Sequence, residues 1–465
     1  MKVDNYIQYF SSLLGNRCDF DEESLLKYGH DETEDLSFPP HVVVFPISTD
    51  EVSEIMKFCY ENNIPVTPSG ARTGLSGGAL PIFGGVVLSL EKMNKIIKID
   101  EENFQVTTEP GVITEVLQET VKEKGLFYPP DPASKGSCFI GGNVAENSGG
   151  PKAVKYGVTA DYVLNLEVVL PNGEIIWTGA NVLKNSTGYN LTQLIVGSEG
   201  TLGVVTQIVL RLIPCPTHDL LMLVPFYSAF DACKAVAKIF QAGITPSGLE
   251  FMEKDAINWT LNHFPGAKVQ VNERHEAHLL IEVDGFEEEI LWKDCEKIVE
   301  VLEVFNTGEI LMASTKAQKD ELWSIRRKVG EAVKAFSVYK EEDTVVPRFE
   351  LPNLLAGVKE IGKKYGFKSV CYGHAGDGNL HVNIIKGDLT DLQWNQELPK
   401  AIKEIFKLTV GLGGTISGEH GIGYVQKDYM PIAFSNVQLQ LMKAIKSTFD
   451  QKGIMNPGKI FPEIV

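Results

Sequence analysis

The chain has 465 residues, 43% of them hydrophobic and 22% charged, proportions of an ordinary globular protein long enough for two or three domains. A formal charge of -18 excludes a nucleic-acid binder, because phosphate binding needs clustered Lys and Arg that 43 basic against 61 acidic residues do not supply. Any anionic small molecule must therefore meet a local basic site. Seven cysteines, widely spaced and without a CxxC pair, point to a reducing compartment and no disulfide framework. No segment approaches the ~20 apolar residues of a membrane span, so the expectation is a soluble, cytoplasmic protein.

In chain order, the amphipathic stretch Tyr6 to Leu14 opens the sequence, and His41 to Pro46 reads as a strand. A helix with an acidic first turn starts at Thr49-Asp50-Glu51. Ile64 to Pro68 is a short strand, followed by Ser69-Gly70-Ala71-Arg72-Thr73-Gly74-Leu75-Ser76-Gly77-Gly78. The glycines free successive backbone N–H groups to converge on an anion, as a pyrophosphate cradle requires. It is neither a P-loop, since no GK[ST] follows, nor a Rossmann GxGxxG opening a helix.

Strands are expected at Val86 to Leu90, Ile96 to Ile99, Gln105 to Thr108, Leu166 to Leu170 and Thr206 to Leu210, with a hairpin turn at Pro171 to Glu174. Between them, Pro129 to Pro132 leads into a second small-residue stretch, Gly136 to Gly150. A flat ring system packed against backbone needs such residues, so that peptide N–H, Asn and Ser groups reach its heteroatoms. A third stretch, Gly197 to Thr206, ends in a strand. Pro214-Cys215-Pro216 then breaks the pattern and marks a domain boundary. Beyond it come longer helical segments, at Ser228 to Gln241, Glu287 to Phe305, Ala317 to Phe336, Leu351 to Tyr365, Leu398 to Leu412 and Asn436 to Phe449. They are interleaved with strands such as His278 to Val283, which predicts a sheet covered by helices.

The chemistry concentrates in two late stretches, Gly373 to Asn383 and Ser417 to Gly423. Leu380, Val382 and Ile384 alternate with His381 and Asn383, so the run reads as a strand with His381 and Asn383 on one side. A tight connection puts His374 at the end of the preceding strand, Ser369 to Tyr372, beside His381. Two imidazoles and a carboxylate with open positions make a catalytic rather than a structural divalent-metal site, and Glu419 is the third candidate ligand. His420, next to it on a glycine-rich turn, is the candidate proton acceptor.

The order of Pro68 to Gly78, Pro129 to Pro132, Gly141 to Gly150 and Gly197 to Val205 resembles the PCMH-type FAD-binding domain of the vanillyl-alcohol oxidase family. The two late stretches, with Met455 to Pro462, resemble the FAD-linked oxidase C-terminal domain, and the match is to the D-2-hydroxyacid dehydrogenase branch. The resemblance implies an α+β protein with a flavin domain over residues 1–215 and a substrate and metal domain over 216–465, of which about 416–465 returns to the flavin. It implies that Pro68, Ser69, Gly70, Ala71, Arg72, Thr73, Gly74, Ser76 and Gly77 hold the FAD pyrophosphate. Pro130, Gly141, Gly142, Asn143, Ser148 and Gly149 would border the flavin and ribityl chain, Gly203 and Val205 the adenine, and Asn456 the returning segment. Some relatives link FAD through a His in the first loop; Arg72 and Thr73 stand there here, so FAD is expected to be noncovalent.

The resemblance also implies that Arg326 binds the substrate carboxylate, with Lys340 and Asn383 as further substrate contacts, and that His374, His381 and Glu419 hold zinc or manganese while His420 acts as base. Glycolate or D-lactate is the expected substrate, because the 2-hydroxyglutarate enzymes carry Thr one helical turn after the arginine where this chain has Gly330. The alternatives are a metal-independent flavin oxidase of alcohols or sugars and a flavin-binding subunit of a larger electron-transfer complex. The sequence leaves the acceptor open among a quinone, a cytochrome, an electron-transfer flavoprotein and oxygen; the resemblance adds an iron-sulfur subunit, and a partner could make the protein peripheral to a membrane. The sequence leaves open whether the protein is a homodimer.

Overall fold

The computed structural model describes residues 3–33, 36–264 and 272–463. The chain divides into two compact units, one formed by Met1–Gly149, Gly157–Cys215 and Glu419–Val465, the other by Gly150–Tyr156 and Pro216–Gly418. The first unit holds a four-stranded sheet in the order Cys18–Asp19, Val42–Val44, Val86–Ser89, Val66–Ser69, the last three parallel. The helix Thr49–Asn62 connects two of these strands. Ser48 caps it by accepting from Glu51 N–H, and Asn63 in the left-handed region (φ 53°) ends it. Its buried face, Val52, Ile55, Met56 and Cys59, falls at helical spacing and packs on Val42, Val44, Val66, Val86 and Leu88. Because Val66–Ser69 is parallel to its neighbour, the loop after it leaves from the carboxyl end of the sheet, which is where ligands bind in such sheets.

A five-stranded antiparallel sheet completes this unit, in the order Ile96–Asp100, Gln105–Thr108, Val204–Arg211, Val163–Val169, Ile175–Trp177. The expected hairpin turn at 171–174 joins its last two strands. At the C-terminal end, Met455 bridges Val66 in parallel and Asn456 N–H donates to Val66 O, so the last residues extend the first sheet.

The second unit is built on a seven-stranded antiparallel sheet, in the order Leu311–Ala313, His218–Phe226, Ala277–Gly285, Gly248–Glu253, Lys368–Gly373, Asn379–Ile385, Tyr339–Val345. The register sorts its side chains. Glu250, Met252, Tyr372, His381, Asn383, Glu341 and Asp343 share one face, while Val382 and Ile384 point to the other. The helices Lys254–His263, Lys316–Arg327 and Val329–Phe336 belong to the first face, where Leu322, Ile325, Val329 and Val333 pack with Met252, Val370 and Tyr372.

The helix expected over Ala317 to Phe336 is two helices. Lys328, at φ -90° and ψ 0°, leaves the helical region and ends the first with its N–H shared between Ser324 O and Ile325 O. The break lets Phe336 stack on Trp259 at 3.8 Å between ring centroids. Residues 150–156 follow directly on the second glycine stretch, yet they belong to the second unit. Lys152 pairs with Glu282 and with Asp284 (3.3 Å), and Lys155 and Tyr156 donate to Asp284 at 2.6 and 2.8 Å. No helix among the described residues is long and apolar enough to cross a membrane.

The second unit also buries His278, 2% exposed on the strand Ala277–Gly285, with no hydrogen-bond partner at Nδ1. Burial, with a smaller contribution from His275, pushes its imidazole down to about 4. The unfolded chain takes up a proton near pH 6.5 that the folded state refuses until about pH 4. Stability is therefore complete above pH 6.5 and is lost as the pH falls toward 4, by about 3 kcal/mol for this side chain. Urea midpoints between pH 4.5 and 6.5 should show that slope, and His278→Gln should flatten it.

Candidate active site

In the first unit, the first and second glycine stretches line a cleft enclosing about 1450 Å³, part of it open to solvent. Residues 68–74, with Gly141, Gly142, Asn143, Ser148, Gly203 and Val205, form its wall. Among the described residues, the backbone N–H groups of Gly70, Ala71, Arg72, Thr73 and Gly74 donate no hydrogen bond within the protein. Arg72 adopts the left-handed region (φ 60°) and its guanidinium stacks 4.1 Å over the Tyr28 ring. A run of unused N–H groups beside a fixed cation is an anion nest, and it fits a pyrophosphate. A Cβ added at Gly74 or Gly142 would meet no protein atom within 4 Å, so the bare backbone there faces ligand space.

Five expected flavin residues, Ser76, Gly77, Pro130, Gly149 and Asn456, are not among those lining this cleft. Ser76 O accepts from the N–H groups of Tyr424 and Val425, and Gly77 (φ 76°) packs on Tyr424. Pro130 O accepts from Gln118, Gly149 closes the second stretch, and Asn456 donates to Gly78 O and Glu199 O at 2.9 and 2.8 Å.

Glu419 and His420 line the same cleft. The turn that follows them is held by Glu199, a buried carboxylate that accepts from the N–H groups of Ile422 (2.8 Å) and Gly423 (2.6 Å). Gly421 (φ 74°) cannot carry a side chain, because its Cβ would lie 2.1 Å from Glu146 Oε2. Burial, and then the charges of Glu199 and Asp31, push the Glu146 carboxyl well up, and burial raises the Glu199 carboxyl as well. Lys459 closes the cluster, donating to Leu80 O at 2.5 Å, and burial pushes its ammonium down to about 7.

In the second unit, His374 and His381 are both buried, with ring centroids 5.6 Å apart and candidate ligand nitrogens within 4.8 Å of each other. His374 sits at the end of Lys368–Gly373, and Gly378 (φ 81°), where a Cβ would lie 1.9 Å from Val346 O, makes the tight return to His381. His374 Nδ1 donates to Glu250, 2.9 Å from each carboxylate oxygen, and Arg326 Nε donates to Glu250 Oε2 at 2.7 Å. Burial alone would push the Glu250 carboxyl up, but His374 and Arg326 hold it below the usual range. His381 Nδ1 lies 3.1 Å from Glu341 Oε1 and 3.9 Å from Asp343 Oδ1. Two buried imidazoles among carboxylates fit a divalent metal.

Arg326 is 6% exposed, which rules out a helix-surface cation, and its Nη2 has no hydrogen-bond partner. Asn383 is wholly buried on the same face, and its amide makes no hydrogen bond of good geometry. Lys340 does not join them. It lies opposite Ile384 and so on the other face of the sheet; Glu341, one residue on, occupies the position beside His381. Asp343 accepts from Ser417 Oγ (3.0 Å) and Gly418 N–H (2.7 Å), which fixes the residue before Glu419 against the strand Tyr339–Val345. Glu250, Glu341 and Asp343 carry no local motif, and Glu146 and Glu199, though inside the second and third small-residue stretches, have no feature there that marks them as functional.

Two family models match, the FAD binding domain over residues 40–179 and the C-terminal domain of FAD linked oxidases over 215–460. The chain belongs to the FAD-linked oxidase family. It is an FAD-linked oxidoreductase of the D-2-hydroxyacid dehydrogenase branch, 42% identical to D-lactate dehydrogenase of Anaerostipes hadrus over 90% of this chain and 89% of that one. It is 40% identical to glycolate oxidase subunit GlcD of Bacillus subtilis strain 168, over 94% and 92% of the two chains. The fold of this FAD-linked oxidase is shared with p-cresol methylhydroxylase, solved with substrate bound, at a TM-score of 0.79 and 19% identity over 98% of this chain and 96% of that one. FAD is therefore the ligand of the first unit's family, and the PCMH-type and C-terminal oxidase domains expected from the sequence are present.

Proposed function

We propose that this oxidoreductase oxidises a small D-2-hydroxyacid, glycolate or D-lactate, to the 2-oxoacid, with residues 1–215 as the flavin domain and 216–465 as the substrate and metal domain, of which about 416–465 returns to the flavin domain. The observation that carries the assignment is Arg326, a buried guanidinium held through Nε by Glu250 with Nη2 left without a partner. A buried donor of this kind calls for an anion, and a carboxylate is the planar anion its fork suits. When bound, FAD would serve as the hydride acceptor, and a divalent metal, zinc or manganese, would supply Lewis acidity to the substrate.

The chain's own groups do the rest. Arg326 and Asn383 hold and orient the carboxylate. His374, His381 and Glu419, the ligands expected from the sequence, would hold the metal. His420 takes the hydroxyl proton. Gly330 supports a short substrate, since it supplies no hydroxyl, and a Cβ there would already be 3.3 Å from the Tyr372 hydroxyl. The electrons would leave to a quinone, a cytochrome, an electron-transfer flavoprotein, oxygen or an iron-sulfur subunit.

Anaerobic mixing with a panel of D- and L-2-hydroxyacids should bleach the flavin with D-lactate or glycolate and not with L-lactate; bleaching by none of them would overturn the assignment. Chelation should abolish bleaching and zinc or manganese should restore it, whereas an unchanged rate in metal-free protein would favour a metal-independent oxidase. Because residues 69–74 contain no His, acid precipitation should release all of the flavin into the supernatant.

A further inference from the structure

We propose that Glu250 is a positioning residue that couples the metal-holding and carboxylate-binding halves of the site. This rests on the function proposed above. Glu250 stands on the strand Gly248–Glu253, wholly buried, and its carboxylate is shared by two donors from distant parts of the chain, His374 Nδ1 and Arg326 Nε. Each contact fixes a state of its partner. A carboxylate can only accept, so the proton of His374 sits on Nδ1 and the lone pair is left on Nε2 for a metal. On the arginine, Glu250 takes Nε and leaves Nη2 unpartnered, so the side-on bidentate fork is not closed and a donor is kept for the substrate.

One carboxylate thus sets both the tautomer of a ligand and the direction of the substrate's cation. Moving it disturbs both at once. A merely structural Glu250 would lower stability without linking metal affinity to substrate affinity.

The test uses the FAD-loaded protein stripped of metal by chelation. Zinc and manganese affinities are measured by competition with a chelator, with and without D-lactate, in wild type, Glu250→Gln and, as a ligand control, His374→Ala. Gln keeps the volume of Glu but cannot accept from both donors as an anion. Glu250→Gln should weaken metal binding about 10- to 100-fold, raise KM for D-lactate at least as strongly as it lowers kcat, and leave FAD content unchanged. D-lactate should tighten metal binding in wild type and lose that effect in the variant, since coupling between two ligands is reciprocal. Nitrogen-15 spectra of metal-free wild type should show His374 protonated at Nδ1, a readout that needs no variant to fold.

Metal affinity within twofold of wild type together with retained coupling in Glu250→Gln, or His374 protonated at Nε2 in wild type, would overturn the role of Glu250. Failure of wild type itself to bind metal or to be bleached by any hydroxyacid would instead overturn the function on which the role rests.

Discussion

His420→Ala lowers the rate of flavin reduction by D-lactate or glycolate about 10²- to 10⁴-fold, the range supplied by a positioned general base, and leaves FAD bound. The two halves of that outcome have separate causes. His420 lines the flavin-side cleft, whereas the anion nest proposed for the pyrophosphate is made by the backbone of residues 70–74, which the substitution does not touch. The turn beside it is held independently, through the N–H groups of Ile422 and Gly423 on Glu199, so removal of the imidazole leaves the loop in place. Anaerobic stopped-flow absorbance gives the rate, and the visible spectrum gives the FAD content. A reduction rate within tenfold of wild type would remove His420 from the base role.

Arg326→Lys raises KM for the hydroxyacid about 100-fold, since an ammonium cannot reproduce the planar fork that meets a carboxylate at two points. Arg326→Ala does more. It leaves Glu250, wholly buried, without its one cationic donor, and loss of one partner of a buried pair costs about 3 kcal/mol or more. Steady-state kinetics separates the first effect and urea denaturation the second. The exposed pair Lys363–Glu360, at 2.6 Å with side chains 74% and 70% exposed, is the internal contrast. Lys363→Ala should leave the urea midpoint nearly unchanged, because solvent screens such pairs. If Arg326→Ala were as mild as Lys363→Ala, Arg326 would be a structural bystander and the substrate assignment would lose its main support.

Much of the flavin side was legible in the sequence because its signal is local. A cradle of backbone N–H groups needs glycines and small residues in consecutive positions, and the run Ser69 to Gly78 states that need without reference to any other part of the chain. The same holds for His381 and Asn383, whose common face follows from strand alternation alone. Capped helices such as Asn436–Phe449, opened by Ser435 in a capping box with Gln438, were readable at both ends for the same reason.

The positioning acids were not legible. Glu250 is 124 residues from His374 and 76 from Arg326, and no periodicity in its own strand marks it as anything but a polar residue in an apolar run. Glu199 reaches residues more than 220 positions away, at Ile422 and Gly423. Lys340 shows the opposite failure: it looked like a second cation for the substrate, and strand register, which flips every side chain with a one-residue step, put it on the other face.

By itself, then, the sequence determined which residues could do chemistry and which backbone could cradle a cofactor, because residue type and short-range spacing govern donor sets, turns and alternation. Only the tertiary structure decided which buried carboxylate each histidine and arginine meets, that residues 150–156 join the second unit, and that Ala317 to Phe336 breaks at Lys328. Those outcomes depend on burial and on partners far apart in the chain, where a charge is tolerated only if another element brings its complement.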